Sequence, residues 1–201
     1  MRSLVGAAVA LALAGSADES GAQDAPGAFT MPGSPVTPAP AAPKDCLASG
    51  DGYLRARVEG AVEARVNWTN AGLRCEGEPK DTPPGVRLSF QRHGAKPDLL
   101  FVFGLTGVRE GRPGRAVATN LTVIVQGTDR IYGTLGDSRC TVDSLSQRRL
   151  GPGKSYRLEA RGFCTQPAHA VRGDGAVLVS TFEFAGVVDY GGSAEGGTAT
   201  P

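Results

Sequence analysis

Short runs of alternating apolar and polar residues, separated by glycine, proline and other turn residues, are the feature that most limits how this chain can fold. An alternation with a period of two gives each run one apolar and one polar face, as in a half-buried β-strand. No segment keeps the three- and four-residue apolar spacing of an amphipathic helix. About ten such runs in one domain predict an all-β fold, namely an antiparallel β-sandwich or, as the alternative, a β-barrel.

The predicted strands are not all alike. Residues 99–103 (LLFVF) are apolar at every position, so we expect this strand at the centre of a sheet with neither face in water. Trp68 ends an alternating run; we expect it in the core, with stacking on a ligand as the alternative. The predicted strands are 53–58, 62–68, 73–75, 86–91, 99–103, 119–126, 130–134, 140–147, 155–165 and 176–188.

Four cysteines, Cys46, Cys75, Cys140 and Cys164, predict two disulfides if the chain is exported. Cys140 and Cys164 lie at equal distances from Pro152 in a Gly-Pro-Gly turn, so a hairpin centred there places them opposite one another. The zinc alternative is disfavoured because no CxxC spacing is present. The same register pairs Val142 with Gly162, Ser144 with Ala160, Asp143 with Arg161, and Gln147 with Arg157.

The remaining pair, Cys46 and Cys75, brackets a second hairpin that turns at residues 59–61. Its apolar faces match best when Leu54, Ala56 and Val58 lie opposite Val66, Ala64 and Val62. That register leaves the two cysteines one residue out of step. A β-bulge within residues 49–52 is therefore predicted.

The first residues have the features of a secretory signal peptide. A positive start, Met1-Arg2-Ser3, precedes an apolar run at residues 4–14 that is too short to span a bilayer. We predict a signal peptide at 1–22, with cleavage after residue 22 or, alternatively, after 14. Ser16 stands where a bacterial lipoprotein signal carries its lipidated cysteine, and a hydroxyl does not replace that thiol.

Composition divides the rest of the chain. Residues 23–44 and 191–201 are rich in small residues and proline or glycine, so we expect a disordered linker and a disordered tail. The folded domain is predicted at 45–190. A net charge of +1 lacks the basic surplus that nucleic-acid binding requires. The excess of arginine over lysine, with abundant alanine and glycine, is typical of a bacterium with GC-rich DNA.

Catalytic motifs are not found. The two histidines, His93 and His169, are predicted in a turn and a loop, and neither a GxSxG elbow nor an HExxH helix is present. The sequence therefore predicts no catalytic residue, metal or cofactor. The alternative is a hydrolase that uses two carboxylates brought together by the fold. Candidates for that pair are Glu63, Asp98, Asp129 and Glu183.

Arginine is the most prominent functional side chain. Arg109, Arg112 and Arg115 crowd a loop predicted at 107–116, and we predict that they bind an anionic ligand, because guanidinium groups suit phosphates and carboxylates. A second set lies on the 140–164 hairpin, where Asp143 and Glu159 are expected to neutralise part of its charge. This set is Arg148, Arg149, Arg157 and Arg161.

These patterns predict a non-catalytic, exported binding module of a bacterial cell envelope, either periplasmic or extracellular. The expected partner is an envelope protein or an anionic glycan or lipid, with no nucleic acid and no transmembrane segment. Two alternatives remain at this point: a carboxylate-dependent hydrolase acting on an envelope polymer, and a structural envelope protein. Residues 172–174 form an Arg-Gly-Asp tripeptide, which a Gly-Asp-Gly turn also explains.

Overall fold

The computed structural model of the chain describes residues 45–136 and 138–191. Every helix or strand found in this part of the chain is a β-strand, and the strands pair antiparallel. The predicted all-β antiparallel class and the two predicted disulfides are confirmed. The strands are β1 Tyr53–Gly60, β2 Ala64–Thr69, β3 Leu73–Lys80, β4 Gly85–Arg92, β5 Leu99–Thr106, β6 Gly114–Val125, β7 Ile131–Gly133, β8 Cys140–Arg149, β9 Ser155–Cys164, β10 Ala168–Ala170 and β11 Ala176–Asp189.

The eleven strands form one hydrogen-bonded sheet with β2 and β3 at its two ends. From one end the strand order is β2-β1-β11, and from the other it is β3-β4-β5-β6. Two pairs of strands connect β11 to β6: in the first, β9 pairs with β11 and β8 with β6, and in the second, β10 pairs with β11 and β7 with β6. We call these two pairs the ribbons β9-β8 and β10-β7. Strands β11 and β6 are the longest because each pairs along one edge with both ribbons.

Four phenylalanines show how this continuous sheet folds onto itself. Phe103 on β5 lies against Phe182 and Phe184 on β11, with ring centroids 4.9 and 4.8 Å apart. Phe90 on β4 lies 5.0 Å from Phe184. All four rings are buried, and each stabilises the fold by about 1.5–3 kcal/mol relative to an exposed ring. The β4-β5 layer therefore faces β11 across an apolar core, which is consistent with the predicted sandwich.

The apolar strand predicted at the centre of a sheet is β5, between β4 and β6. One face, including Phe101, is fully buried, whereas Leu100 and Val102 on the other face are half-buried. The prediction that both faces avoid water is therefore correct for one face only. Trp68 is buried and meets Phe101 edge to face, with centroids 5.7 Å apart, which confirms its place in the core.

The Cys140–Cys164 disulfide joins β8 to β9 as predicted, and the Val142–Gly162 pair is confirmed. The register then shifts by one residue at Asp143, which bulges out of the ladder. Beyond this point the predicted pairs are wrong. The observed pairs are Ser144 with Arg161, Leu145 with Ala160, Gln147 with Leu158, and Arg148 with Arg157.

The second predicted hairpin forms, but in another register. Leu54 pairs with Trp68 and Ala56 with Val66, so the predicted alignment is wrong by two residues. A shift of two keeps every side chain on its predicted face, which is why the apolar pattern could not distinguish the two registers. The segment predicted to bulge forms a turn instead, closed by the Gly50 N–H, which donates to the Leu47 carbonyl at 3.0 Å.

The Cys46–Cys75 disulfide ties the segment before β1 to β3. Asn70 in the β2-β3 turn supports the same junction. Its Oδ1 accepts hydrogen bonds from the Leu47 and Gly52 N–H groups at 2.8 and 3.1 Å, and its Nδ2 donates to the Leu47 carbonyl at 3.0 Å. The side chain is buried with both ends paired, so it replaces hydrogen bonds that water would otherwise supply.

The predicted signal peptide (1–22), the linker (23–44) and all but the first residue of the predicted tail (191–201) lie outside the described residues. Two disulfides with no free cysteine indicate an oxidising, exported environment. No membrane-spanning helix is found in residues 45–136 and 138–191.

Candidate functional site

The arginine-rich loop joins β5 to β6 and spans residues 107–113. It turns through Gly107 and Gly111, whose φ angles of 76° and 67° suit glycine, and the Arg112 N–H donates to the Arg109 carbonyl at 3.1 Å. The loop is shorter than predicted, because Arg115 already lies on β6. Two of the three arginines therefore extend from a turn and the third from a strand.

Gln147 on β8 anchors this loop. Its Nε2 donates to the carbonyls of Arg109 and Arg112 at 2.9 and 2.8 Å. The Tyr190 hydroxyl in turn donates to Gln147 Oε1 at 2.9 Å. Burial raises the pKa of Tyr190 to about 12, so this hydroxyl keeps its proton at neutral pH. The loop backbone is thus held by a side chain from a rigid strand.

Tyr156 on β9 supplies a second anchor. Its hydroxyl donates to Glu110 Oε1 at 3.1 Å, and the Arg149 guanidinium lies 5.8 Å from the centroid of its ring. Glu110, the acidic residue of the loop, is therefore turned toward the β8-β9 hairpin. This leaves the loop arginines without their nearest carboxylate in sequence.

Arg109, Arg112 and Arg115 all line one pocket of about 310 Å³, which we call the arginine pocket. This volume is at the lower end of the range for small-ligand sites, about 300–1,000 Å³. All three side chains are exposed, and none forms an ion pair within the described part of the chain. No acidic residue among those that the structure describes lines the pocket. The structure therefore brings the three predicted residues together in a concave site of one charge.

The remaining wall is apolar except for one hydroxyl. The apolar lining consists of Pro113, Ala116 and Val117, together with the buried side chains of Val108 and Leu145. Thr106 also lines it. Its Oγ1 is buried and has no hydrogen-bond partner among the described residues. An unpaired buried hydroxyl is costly, by about 1–3 kcal/mol, and is uncommon in folded proteins.

Ala116 has a φ of 50°, the left-handed region that residues with a Cβ rarely adopt. It lies between Arg115, which pairs with Ser144, and Val117, which pairs with Val142, directly across from the bulge at Asp143. Such conformations cost about 1–3 kcal/mol and occur preferentially at functional sites. The distortion lies in the wall of the arginine pocket.

The hairpin arginines are placed differently. Arg157, with only 13% of its side chain exposed, lies 2.8 Å from Asp51 and 2.6 Å from Glu159. Hydrogen bonding to Arg157 is the main cause that lowers the pKa of Glu159. A hydrogen bond from Ser49 and the Arg157 charge lower the pKa of Asp51. The expected neutralisation by Glu159 is present, whereas Asp51 was not anticipated.

The acids proposed for a hydrolase are dispersed. Glu63 and Glu183 line different clefts, and Glu183 lies 3.5 Å from Arg55. The structure instead places Glu183 with Glu159 in a cleft of about 270 Å³. Asp98 is half-buried, with an Oδ1 that has no partner among the described residues, and Asp129 is exposed.

Neither histidine is enclosed. His93 lies in an exposed turn as predicted, but His169 lies on strand β10, so its assignment to a loop is wrong. Strand β10 was missed because its sequence, Ala-His-Ala, lacks the β-branched and aromatic side chains that are typical of strands. Residues 172–174 form an exposed bend between β10 and β11. The described residues contain no group of three or more metal-ligating side chains.

Local sequence identified the three arginines but not the residues that shape their pocket. Gln147 is 38 residues from Arg109, and no sequence signal connects them. Leu145, a lining residue of the pocket, is buried like Val142 because the bulge at Asp143 interrupts the alternation of β8. In comparisons with protein families, curated proteins and solved structures, no match was found.

Proposed function

We propose that this chain is a non-catalytic, exported binding module of a bacterial cell envelope, and that its arginine pocket recognises anionic groups. The observation that carries the proposal is the convergence of Arg109, Arg112 and Arg115 on one concave site with no carboxylate partner in residues 45–136 and 138–191. Guanidinium groups form paired, charge-assisted hydrogen bonds with phosphate and carboxylate oxygens. An anion would relieve the mutual repulsion of three clustered positive charges.

The support of the loop favours binding. Because Gln147 already holds the carbonyls of Arg109 and Arg112, a ligand does not have to order the loop backbone. Ordering costs reduce affinity, so a site built in advance binds more tightly than a mobile one. The arginine side chains themselves remain free to adapt.

A carboxylate-dependent hydrolase acting on an envelope polymer is the second candidate, favoured by the cleft that contains Glu159 and Glu183. A general acid needs a raised pKa to hold its proton at neutral pH. The pKa of Glu159 is lowered instead, chiefly by Arg157, and the Tyr53 hydroxyl donates to it at 3.1 Å. This carboxylate is thus arranged as a stabilised anion, which argues against Glu159 as the general acid of such a hydrolase.

The location proposed is the periplasm or the cell exterior. The disulfides fit either, and the signal-peptide pattern of residues 1–22 supports export. The proposed partner is an envelope protein or an anionic glycan or lipid. A structural role in the envelope has less support, because it does not explain a cluster of unpaired arginines in a pocket.

Inorganic phosphate provides the direct test. In an NMR titration at constant ionic strength, we expect phosphate to shift the amide signals of Gly107, Gly111 and Gly114. Replacing all three pocket arginines with alanine should weaken this binding on the order of 100-fold, because several charge-assisted hydrogen bonds are lost. The matched control changes Arg65, Arg130 and Arg172, all exposed and outside the pocket, to alanine. Equal binding by the two triple variants would contradict the proposal.

A further inference from the structure

The arginine pocket combines charge with an apolar wall, and these two features together narrow the ligand. Three guanidinium groups offer more donors than a single carboxylate can accept. A phosphate monoester has three terminal oxygens and carries close to two negative charges at neutral pH. The number of arginines therefore matches a terminal phosphate better than a carboxylate.

The apolar wall suits the group to which such a phosphate is attached. Pro113 and Ala116 are exposed and Val117 is half-buried, and all three line the pocket. A free phosphate ion would leave this wall in water, whereas an alkyl chain would cover it. Each methylene removed from water contributes about 0.8 kcal/mol, which is about a fourfold gain in affinity.

Thr106 offers a third contact. Its buried hydroxyl has no hydrogen-bond partner among the described residues, yet Thr106 lines the same pocket. A hydroxyl can donate to an ester or phosphate oxygen. Because this hydroxyl is enclosed in the free chain, a ligand with oxygen at the junction between its head and its chain would satisfy it after a rotation of the Thr106 side chain.

We infer that the arginine pocket binds an alkyl phosphate monoester, with the phosphate at Arg109, Arg112 and Arg115 and the first carbons of the chain on Pro113, Ala116 and Val117. The inference rests on the proposed function, since the phosphate is the anion that the pocket recognises. Beyond that function, the inference states that the ligand carries an apolar chain and that the pocket prefers a phosphate to a carboxylate.

The test compares inorganic, methyl, butyl and hexyl phosphate, with hexanoate and hexanol as controls, by NMR titration of the full oxidised chain. We expect affinity to rise about fourfold per methylene until the pocket is filled. Hexyl phosphate should bind more tightly than hexanoate, and hexanol should not bind measurably. The wild-type series alone determines this dependence on chain length, whatever the folding of any variant.

Two variants assign the contacts. Val117→Thr keeps a β-branched side chain on the strand but makes it polar, so it should reduce the gain in affinity per methylene across the phosphate series. Thr106→Val should weaken hexyl phosphate severalfold while raising the thermal midpoint of the free chain, because it removes an unpaired hydroxyl. An unchanged gain in affinity per methylene in Val117→Thr would contradict the assignment of the alkyl chain to this wall.

The outcomes separate the two proposals. If inorganic phosphate binds but affinity does not rise with chain length, the proposed function stands and the inference is wrong. If hexanoate binds but no phosphate does, only the inference is wrong, and if neither binds, both proposals are wrong. Vesicles containing phosphatidic acid, compared with phosphatidylcholine alone, identify the source of the ester. If the chain sediments with the phosphatidic acid vesicles and the triple arginine variant does not, the ester is a membrane lipid. If the chain binds hexyl phosphate but does not sediment with these vesicles, the ester is a soluble molecule.

Discussion

Arg157 and the arginine pocket place the same side chain in opposite environments. Arg157 is the third residue of β9, is largely buried and contacts two carboxylates, Asp51 and Glu159. The pocket arginines extend from a loop and a strand start, are exposed and have no ion-pair partner within the described part of the chain. Charge that is already neutralised holds the fold together, whereas charge left unpaired remains available to a ligand.

The two regions also differ in what surrounds the charge. Around Arg157 the chain supplies Glu159 from the same strand and Asp51 from a distant segment, so desolvation is offset by ion pairing. Around the pocket, Glu110 is held by the Tyr156 hydroxyl and not by an arginine. This difference predicts that the free energy of unfolding depends on Arg157, whereas the binding of an anion depends on the pocket arginines.

The largest expected effect is the loss of Arg157. Arg157→Met keeps much of the side-chain volume but leaves Asp51 and Glu159 without their shared partner. Breaking a fully buried pair costs about 3–5 kcal/mol; since both acids are partly exposed, we expect about 2 kcal/mol. Urea denaturation of the oxidised chain measures this loss in the free energy of unfolding.

Arg161→Met is the matched control. Arg161 lies on the same strand but is exposed. Its replacement should change the free energy of unfolding by less than about 0.5 kcal/mol. If both substitutions were equally destabilising, the distinction between a structural arginine and a solvated one on this hairpin would be lost.

The sequence predicts the parts of this comparison that depend on near neighbours. The strands could be located because alternation is local, and the Cys140–Cys164 pairing could be placed because a Gly-Pro-Gly turn centres the hairpin. The clustering of the three pocket arginines is likewise visible within seven residues of sequence. The local sequence pattern was therefore enough to identify the three arginines of the pocket.

What the sequence could not predict depends on contacts between distant strands. The bulge at Asp143 lies opposite the left-handed Ala116, so the two distortions accommodate one another across β8 and β6. Neither has a sequence signal of its own, since alanine is not a residue that favours positive φ. The partner Asp51 is similarly remote from Arg157, and only the fold shows which arginines are neutralised.

A smaller effect is expected on acidification, and it tests the origin of the stability that Arg157 provides. The pKa values of Asp51 and Glu159 are lowered in the folded chain, so folding favours their ionised forms. Their contribution is present above the unfolded values near pH 4 and is lost as pH falls through the lower folded values. Wild type should therefore lose more stability than Arg157→Met between pH 6 and pH 3.

Urea midpoints of wild type, Arg157→Met and Arg161→Met at both pH values check this. Arg161→Met should follow wild type, because the ion pairs remain. An equal loss in all three proteins would mean that other carboxylates account for the acid sensitivity, and that Arg157 stabilises the hairpin by packing alone.

The smallest effect on stability, and the sharpest contrast, is expected at the pocket. Changing Arg109, Arg112 and Arg115 together to alanine removes three exposed side chains that repel one another and form no ion pair among the described residues. The free energy of unfolding should change by less than about 0.5 kcal/mol, toward greater stability at low salt. If the free energy of unfolding fell as much as in Arg157→Met, these arginines would be stabilising the fold. Their charges would then not be free to bind a ligand.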